Sequence, residues 1–169
     1  MPVMRVLPTS FTVKNLDRSL KFYMDVFGFS ISDHHPTGFH IDNPFPSAEG
    51  PEREAWDAYQ EVVCGIEGAV LRQLIYLLAP DGQTMVELLE YDPPGRDSEL
   101  PRIRQFNEPG KAIVVLEVKD SAALVERIRE LGGEVVAPPQ RHGLSLCTYI
   151  LDPDENAICL FEGLEEGSS

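Results

Sequence analysis

The stretch Val13-Lys14-Asn15-Leu16-Asp17-Arg18-Ser19-Leu20-Lys21-Phe22-Tyr23-Met24-Asp25-Val26-Phe27-Gly28 decides how the rest of the chain is read. Leu16, Leu20, Tyr23 and Phe27 recur at the spacing of one helix face, so an amphipathic helix is expected here. Asn15 or Asp17 can cap its start, and Gly28 suits the left-handed residue that follows a helix end. Before it, Thr9-Ser10-Phe11-Thr12-Val13 reads as a strand, and after it further strands are expected at about 70–78 and 84–91. Between those two, Ala79-Pro80-Asp81-Gly82-Gln83 carries turn chemistry.

The same plan returns downstream. Ala112 to Val118 is an apolar run, and Asp120-Ser121 opens a helix through Leu131. Leu124, Ile128 and Leu131 form its expected buried stripe, and Gly132-Gly133 ends it. Strands follow at 134–137, 144–151 and 156–162, the last two joined by Asp152-Pro153-Asp154-Glu155. An internal duplication of a βαβββ unit is the simplest account. A first module over 5–92, a linker over 93–110, a second module over 111–164 and a tail over 165–169 are expected to make one domain. Residues 33–66 interrupt the first module as an insertion, in which Glu52 to Val63 reads as a helix with Trp56, Tyr59 and Val63 on one face.

Composition narrows the functional classes. Apolar residues make up 43% of the 169, ordinary for a globular protein. A net charge of −14 repels phosphate backbones and anionic lipid, so neither nucleic acid nor membrane is an expected partner. No apolar run has the length of a membrane span and the start lacks a signal-peptide core, so a cytoplasmic location is expected. Cys64, Cys147 and Cys159 are odd in number and widely spaced, which argues against a disulfide framework and for buried thiols.

The motif Val-x-Asn-Leu-Asp-Arg-Ser-Leu-x-Phe-Tyr-x-x-Val-Phe-Gly-Phe over 13–29 resembles the opening of vicinal-oxygen-chelate proteins, the glyoxalase and bleomycin-resistance type. Gly65 to Arg72, Val86-Glu87-Leu88-Leu89-Glu90-Tyr91, and Asp152-Pro153-Asp154 followed by Ala157 to Glu162 resemble the middle and end of that pattern. The resemblance implies an α+β fold of paired βαβββ modules, whose curled mixed sheets form a cup with the helices outside. It also implies a homodimer. The four metal ligands of such proteins would fall on Pro8, Glu87, Ile113 and Cys159. Proline and isoleucine have no side-chain donor atom, so no metal and no other cofactor is expected. A substitute site from His34, His35 and His40 with Glu87 fits ligand geometry poorly, because adjacent residues of a strand point to opposite faces.

Strand alternation then selects a ligand-facing set. From the first module come Ser10, Met85, Glu87, Leu89 and Tyr91, and from the second Ile113, Val115, Tyr149, Cys159 and Phe161. Trp56 of the insertion joins them. The set is mainly apolar and suits a small, largely apolar or aromatic metabolite. Glu87, a carboxylate among apolar neighbours, is the expected acid/base of a cofactor-free isomerase or lyase, with His142, Tyr149 or Tyr91 as second partner. A structural role for Glu87, hydrogen-bonded to Arg72 or to backbone, is the competing reading. At the level of the whole protein, the competing function is non-catalytic binding and sequestration of a drug or antibiotic, as in bleomycin-resistance proteins.

Overall fold

The computed structural model describes residues 8–35, 70–92 and 112–164. The expected helix of 52–63, Trp56, His40, Cys64, the 93–110 linker and the tail all lie outside these residues. The chain divides into two compact units, Met1–Ser98 and Glu99–Ser169, a division that falls within the expected linker.

In the first unit β1 (Thr9–Val13) leads through α1 (Leu16–Phe27) to β2 (Ser30–Ile31), β3 (Val70–Leu78) and β4 (Met85–Asp92). The sheet runs β1-β4-β3-β2, with β1 parallel to β4 and the other pairs antiparallel. Asn15 caps α1 by accepting the Arg18 N–H, and Gly28 ends it at φ 72°, where its N–H reaches back to the Met24 carbonyl. Leu16, Phe22, Tyr23 and Val26 are buried on α1, and so are Phe11, Val13, Ile75, Leu77, Val86 and Leu88, which alternate along the strands. One sheet face is thereby committed to the core. Each such apolar side chain contributes about 1.5–3 kcal/mol when fully buried, which fixes the register of the sheet and so the opposite face.

The second unit repeats the arrangement with β5 (Val114–Glu117), α2 (Ser121–Glu130), β6 (Glu134–Val135), β7 (Gln140–His142), β8 (Ser145–Leu151) and β9 (Ala157–Gly163). Its order β5-β9-β8-β6 matches that of the first sheet once β7, an extra short strand on β8, is set aside. The first strand again runs parallel to the last. A carboxylate stands at the equivalent place in each unit. Glu90 of β4 accepts the Leu16 N–H at 2.7 Å, and Glu162 of β9 accepts the Ser121 N–H at 2.8 Å. Each serves the positive N-terminus of its own helix.

Several expectations need correction. The buried stripe of α2 is Ser121, Val125 and Ile128, while Leu124 and Leu131 are only half-buried. Ser121 is held inward by Glu162, which accepts both its N–H and its hydroxyl, so the buried stripe starts there and recurs at i+4 and i+7. Strands β4 and β9 begin at Met85 and Ala157, one residue later than expected, because Asp81 and Asp152 hold the preceding residues in turns. β2 is the remaining strand of the expected first βαβββ unit, to which no range could be assigned, and β7 is an addition to that plan; each is too short to show alternation.

Candidate functional site

The face of the first sheet opposite its core carries Ser10 and Thr12 from β1, Met85, Glu87 and Leu89 from β4, and Leu74, Tyr76 and Leu78 from β3. Register places Ser10 opposite Glu87 on one side and Tyr76 opposite Glu87 on the other. Directly opposed residues share a face with their Cβ atoms about 4.5–5.5 Å apart, so the three side chains form one row across the sheet. The Ser10 hydroxyl donates to Oε2 of Glu87 through a short hydrogen bond, and the Tyr76 phenol hydrogen-bonds the same carboxylate. Burial of Tyr76, with the neighbouring Glu87 charge and that hydrogen bond, pushes its phenol far above the usual tyrosine range. The His35 ring packs edge-on against Tyr76 at 5.3 Å between centroids.

Glu87 is half-buried, flanked along its own strand by Met85 and Leu89, also half-buried. Its partners are therefore two hydroxyls, and the Arg72 guanidinium lies instead at 3.4 Å from Glu90. Tyr91 shares the strand but is buried, 8% exposed, at the far end beyond a register shift. Tyr76, which sequence reasoning passed over in favour of Tyr91, Tyr149 and His142, is the aromatic hydroxyl that touches Glu87. Its signal was the hairpin turn, through which β3 and β4 determine each other's partners.

In the second unit the equivalent row is Val115, Cys159 and Tyr149. The Tyr149 phenol hydrogen-bonds Cys159, and Cys147 stands diagonally across on the same face, opposite Phe161. Burial and the nearby Cys147 raise the Cys159 thiol, which keeps it protonated and a poor nucleophile. Cys159 is buried, whereas Cys147 is only half-buried. Val115 and Phe161 are 62% and 38% exposed. Ile113 precedes β5 and is half-buried. His142 is exposed on β7, pairing with Ser145, whose hydroxyl donates to the His142 carbonyl at 2.9 Å.

The four positions that the resemblance gives as metal ligands do not converge as a donor set. Pro8 leads into β1 and Ile113 into β5, each two residues before the row member of its strand, and neither offers a donor atom. Glu87 is engaged by two hydroxyls and Cys159 by a phenol. Among the described residues no group of three or more His, Cys, Asp or Glu side chains is placed to hold an ion. The donor set does not fit the divalent metal of that pattern. His34 is exposed, with its ring nitrogen on Asp33 at 2.5 Å, and His35 lies against Tyr76, so these two do not assemble a substitute.

Comparison with known proteins gives one family. The model for the glyoxalase/bleomycin resistance protein/dioxygenase superfamily matches residues 5–160. Solved structures agree. A glyoxalase family protein from Bacillus cereus is 22% identical with a TM-score of 0.70, over 98% of this chain and 97% of that one. A glyoxylase/bleomycin resistance protein/dioxygenase domain from Frankia is 19% identical with a TM-score of 0.59, over 98% and 96%. A genomically encoded fosfomycin resistance protein from Listeria monocytogenes is 13% identical with a TM-score of 0.52, over 98% of each chain. At these identities the structural likeness speaks for the fold alone. No curated protein matches the chain.

Proposed function

Since the chain belongs to the glyoxalase/bleomycin resistance protein/dioxygenase superfamily, we propose that it is a cofactor-independent isomerase or lyase that moves a proton on a small, largely apolar metabolite, with Glu87 as the acid/base. One observation carries this reading: Glu87 stands at the centre of the sheet face opposite the core, half-buried between Met85 and Leu89, with hydroxyls on either side of its carboxylate. A general base needs a fixed carboxylate within reach of a bound ligand, and the row supplies that fixation. Ser10 orients one carboxylate oxygen, and Met85, Leu89 and Leu74 offer the apolar contact that binds and desolvates a ligand.

Glu87→Gln removes the base while keeping the shape. Incubated in deuterated water with a panel of apolar carbonyl compounds, the native protein should catalyse exchange of carbon-bound hydrogen, and the variant should lose at least about 100-fold of that rate. Undiminished exchange in Glu87→Gln would remove this residue from the role. The exposed apolar pair Val115 and Phe161 favours a second reading, sequestration of an apolar drug. Tight binding of such a compound with no chemical change, in native protein and Glu87→Gln alike, would establish it.

A further inference from the structure

Resting on Glu87 as the base, we infer that Tyr76 is a second catalytic residue, the donor that holds an enolate oxygen, and that the substrate is an apolar ketone or aldehyde with a removable hydrogen on the carbon next to its carbonyl.

Tyr76 and Glu87 are direct partners across the β3–β4 pair, so donor and acceptor stand side by side on one face. In a carbonyl compound, the carbonyl oxygen and the hydrogen on the adjacent carbon are separated by two heavy-atom bonds, a span that two adjacent side chains can bridge. A ligand lying over Met85 and Leu89 presents its hydrogen to Glu87 and its oxygen to the phenol.

A tyrosine phenol, whose ordinary pKa is about 10, is a hydrogen donor throughout the physiological range. The two groups are also coupled in the right sense. In the resting protein the phenol donates to the Glu87 carboxylate. When Glu87 takes a proton from carbon, the C–H bond breaks, its electron pair forms the carbon–carbon double bond, and the carbonyl π pair moves onto oxygen. The negative charge has then left the carboxylate and arrived on the ligand oxygen, and the phenol's hydrogen bond moves with it. Where the carbonyl compound carries a β,γ carbon–carbon double bond, that charge is shared with the γ-carbon, and return of the same proton from Glu87 to the γ-carbon completes an isomerisation with no oxidant, reductant or second reactant.

The duplication provides an internal contrast. The equivalent tyrosine, Tyr149, lies opposite Cys159, a protonated thiol with Val115 on its other side, so within these two equivalent rows the pairing of phenol with carboxylate belongs to the first unit. Ser10 acts through Glu87 and is a positioning residue.

The test uses naphthols of graded acidity, whose ionised forms resemble an enolate. They are titrated into the native protein, Glu87→Gln, and Glu87→Gln/Tyr76→Phe, reading affinity and the absorbance of the ionised ligand. Glu87→Gln mimics the state in which the base has taken its proton. It should bind naphtholates at least about 10-fold more tightly than the native protein, and Tyr76→Phe in that background should lose at least about 10-fold together with ligand ionisation. Should Tyr76→Phe fail to fold, the dependence of affinity on naphthol acidity in Glu87→Gln alone decides. Tyr76-independent binding, absence of an ionised bound ligand, or no binding of any naphthol overturns the inference. None of these readouts involves turnover, so their failure leaves the Glu87 exchange result standing, and loss of the exchange result leaves these intact.

Discussion

A single phenol illustrates how far neighbours govern a residue's chemistry. Tyr76 is 9% exposed, packed against His35 and bonded to Glu87, and its proton is held more tightly in the folded chain than in the unfolded one. A group whose folded pKa is raised stabilises the fold fully below its unfolded value and loses that contribution as pH climbs. For this phenol the loss starts near its ordinary value of 10.0 and continues above it. Tyr76→Phe should therefore flatten the alkaline limb of the stability curve. Urea unfolding at pH 8 and at pH 11, compared between the two proteins, measures the difference, and equal slopes would show that Tyr76 does not titrate this way. At neutral pH the variant should be less stable by about 1 kcal/mol, the usual net worth of one hydrogen bond.

At the scale of elements, the sequence disclosed strands and helices well and their mutual register poorly. The motif around α1 exposed its cap at Asn15, its apolar face and its Gly28 stop, because these are local signals with local causes. The site did not follow, because the partner of Glu87 depends on the length of a turn. Pairing Leu78 with Thr84, as the expected strand ends imply, would set Ile75 opposite Glu87. The observed pairing of Leu78 with Met85 sets Tyr76 there. In the second hairpin the same one-residue difference exchanges Thr148 for Tyr149 opposite Cys159. Each turn is fixed by an aspartate, Asp81 or Asp152, whose carboxylate collects backbone N–H groups, and counting those bonds is what sequence reading could not do. The strand-to-helix carboxylates make a prediction of their own. The Ser121 hydroxyl, then the Ser121 and Asp120 N–H groups, lower the Glu162 carboxyl below its usual 4.5. A depressed folded value means stability that is present above the ordinary pKa and lost as pH falls through the folded one. Glu162→Gln should cost about 1 kcal/mol at pH 7, the scale of a helix cap. The gap to the native protein should shrink below pH 4.5, and calorimetry at pH 7 and pH 3.5 checks it. A gap that stays constant would mean that the charge contributes nothing.

The molecule as a whole carries 28 acidic against 14 basic side chains, a net charge of −14. Local ion pairs exist within this excess: Lys21 with Asp25, Arg127 with Glu130 and Arg129 with Glu126. All are exposed or nearly so and each is worth only about 0.3–0.5 kcal/mol. Salt acts on both terms, weakening these pairs and relieving the general repulsion, and the imbalance of charge decides the sign. Repulsion among unmatched carboxylates extends over roughly 30 Å at 0.01 M salt and about 8 Å at 0.15 M. Raising sodium chloride between those limits should therefore raise Tm by a few degrees. Tetramethylammonium chloride at equal ionic strength should do the same if screening is the cause, whereas a response to sodium alone would point to site binding. The same field bears on the site in the first unit, since an anionic ligand approaches against it and a neutral carbonyl compound does not. Naphtholate association with Glu87→Gln should accordingly quicken as salt rises while neutral naphthol association stays level. Stopped-flow rates for the two forms separate the long-range field from the contacts at Tyr76, which salt leaves largely unscreened because that side chain is buried.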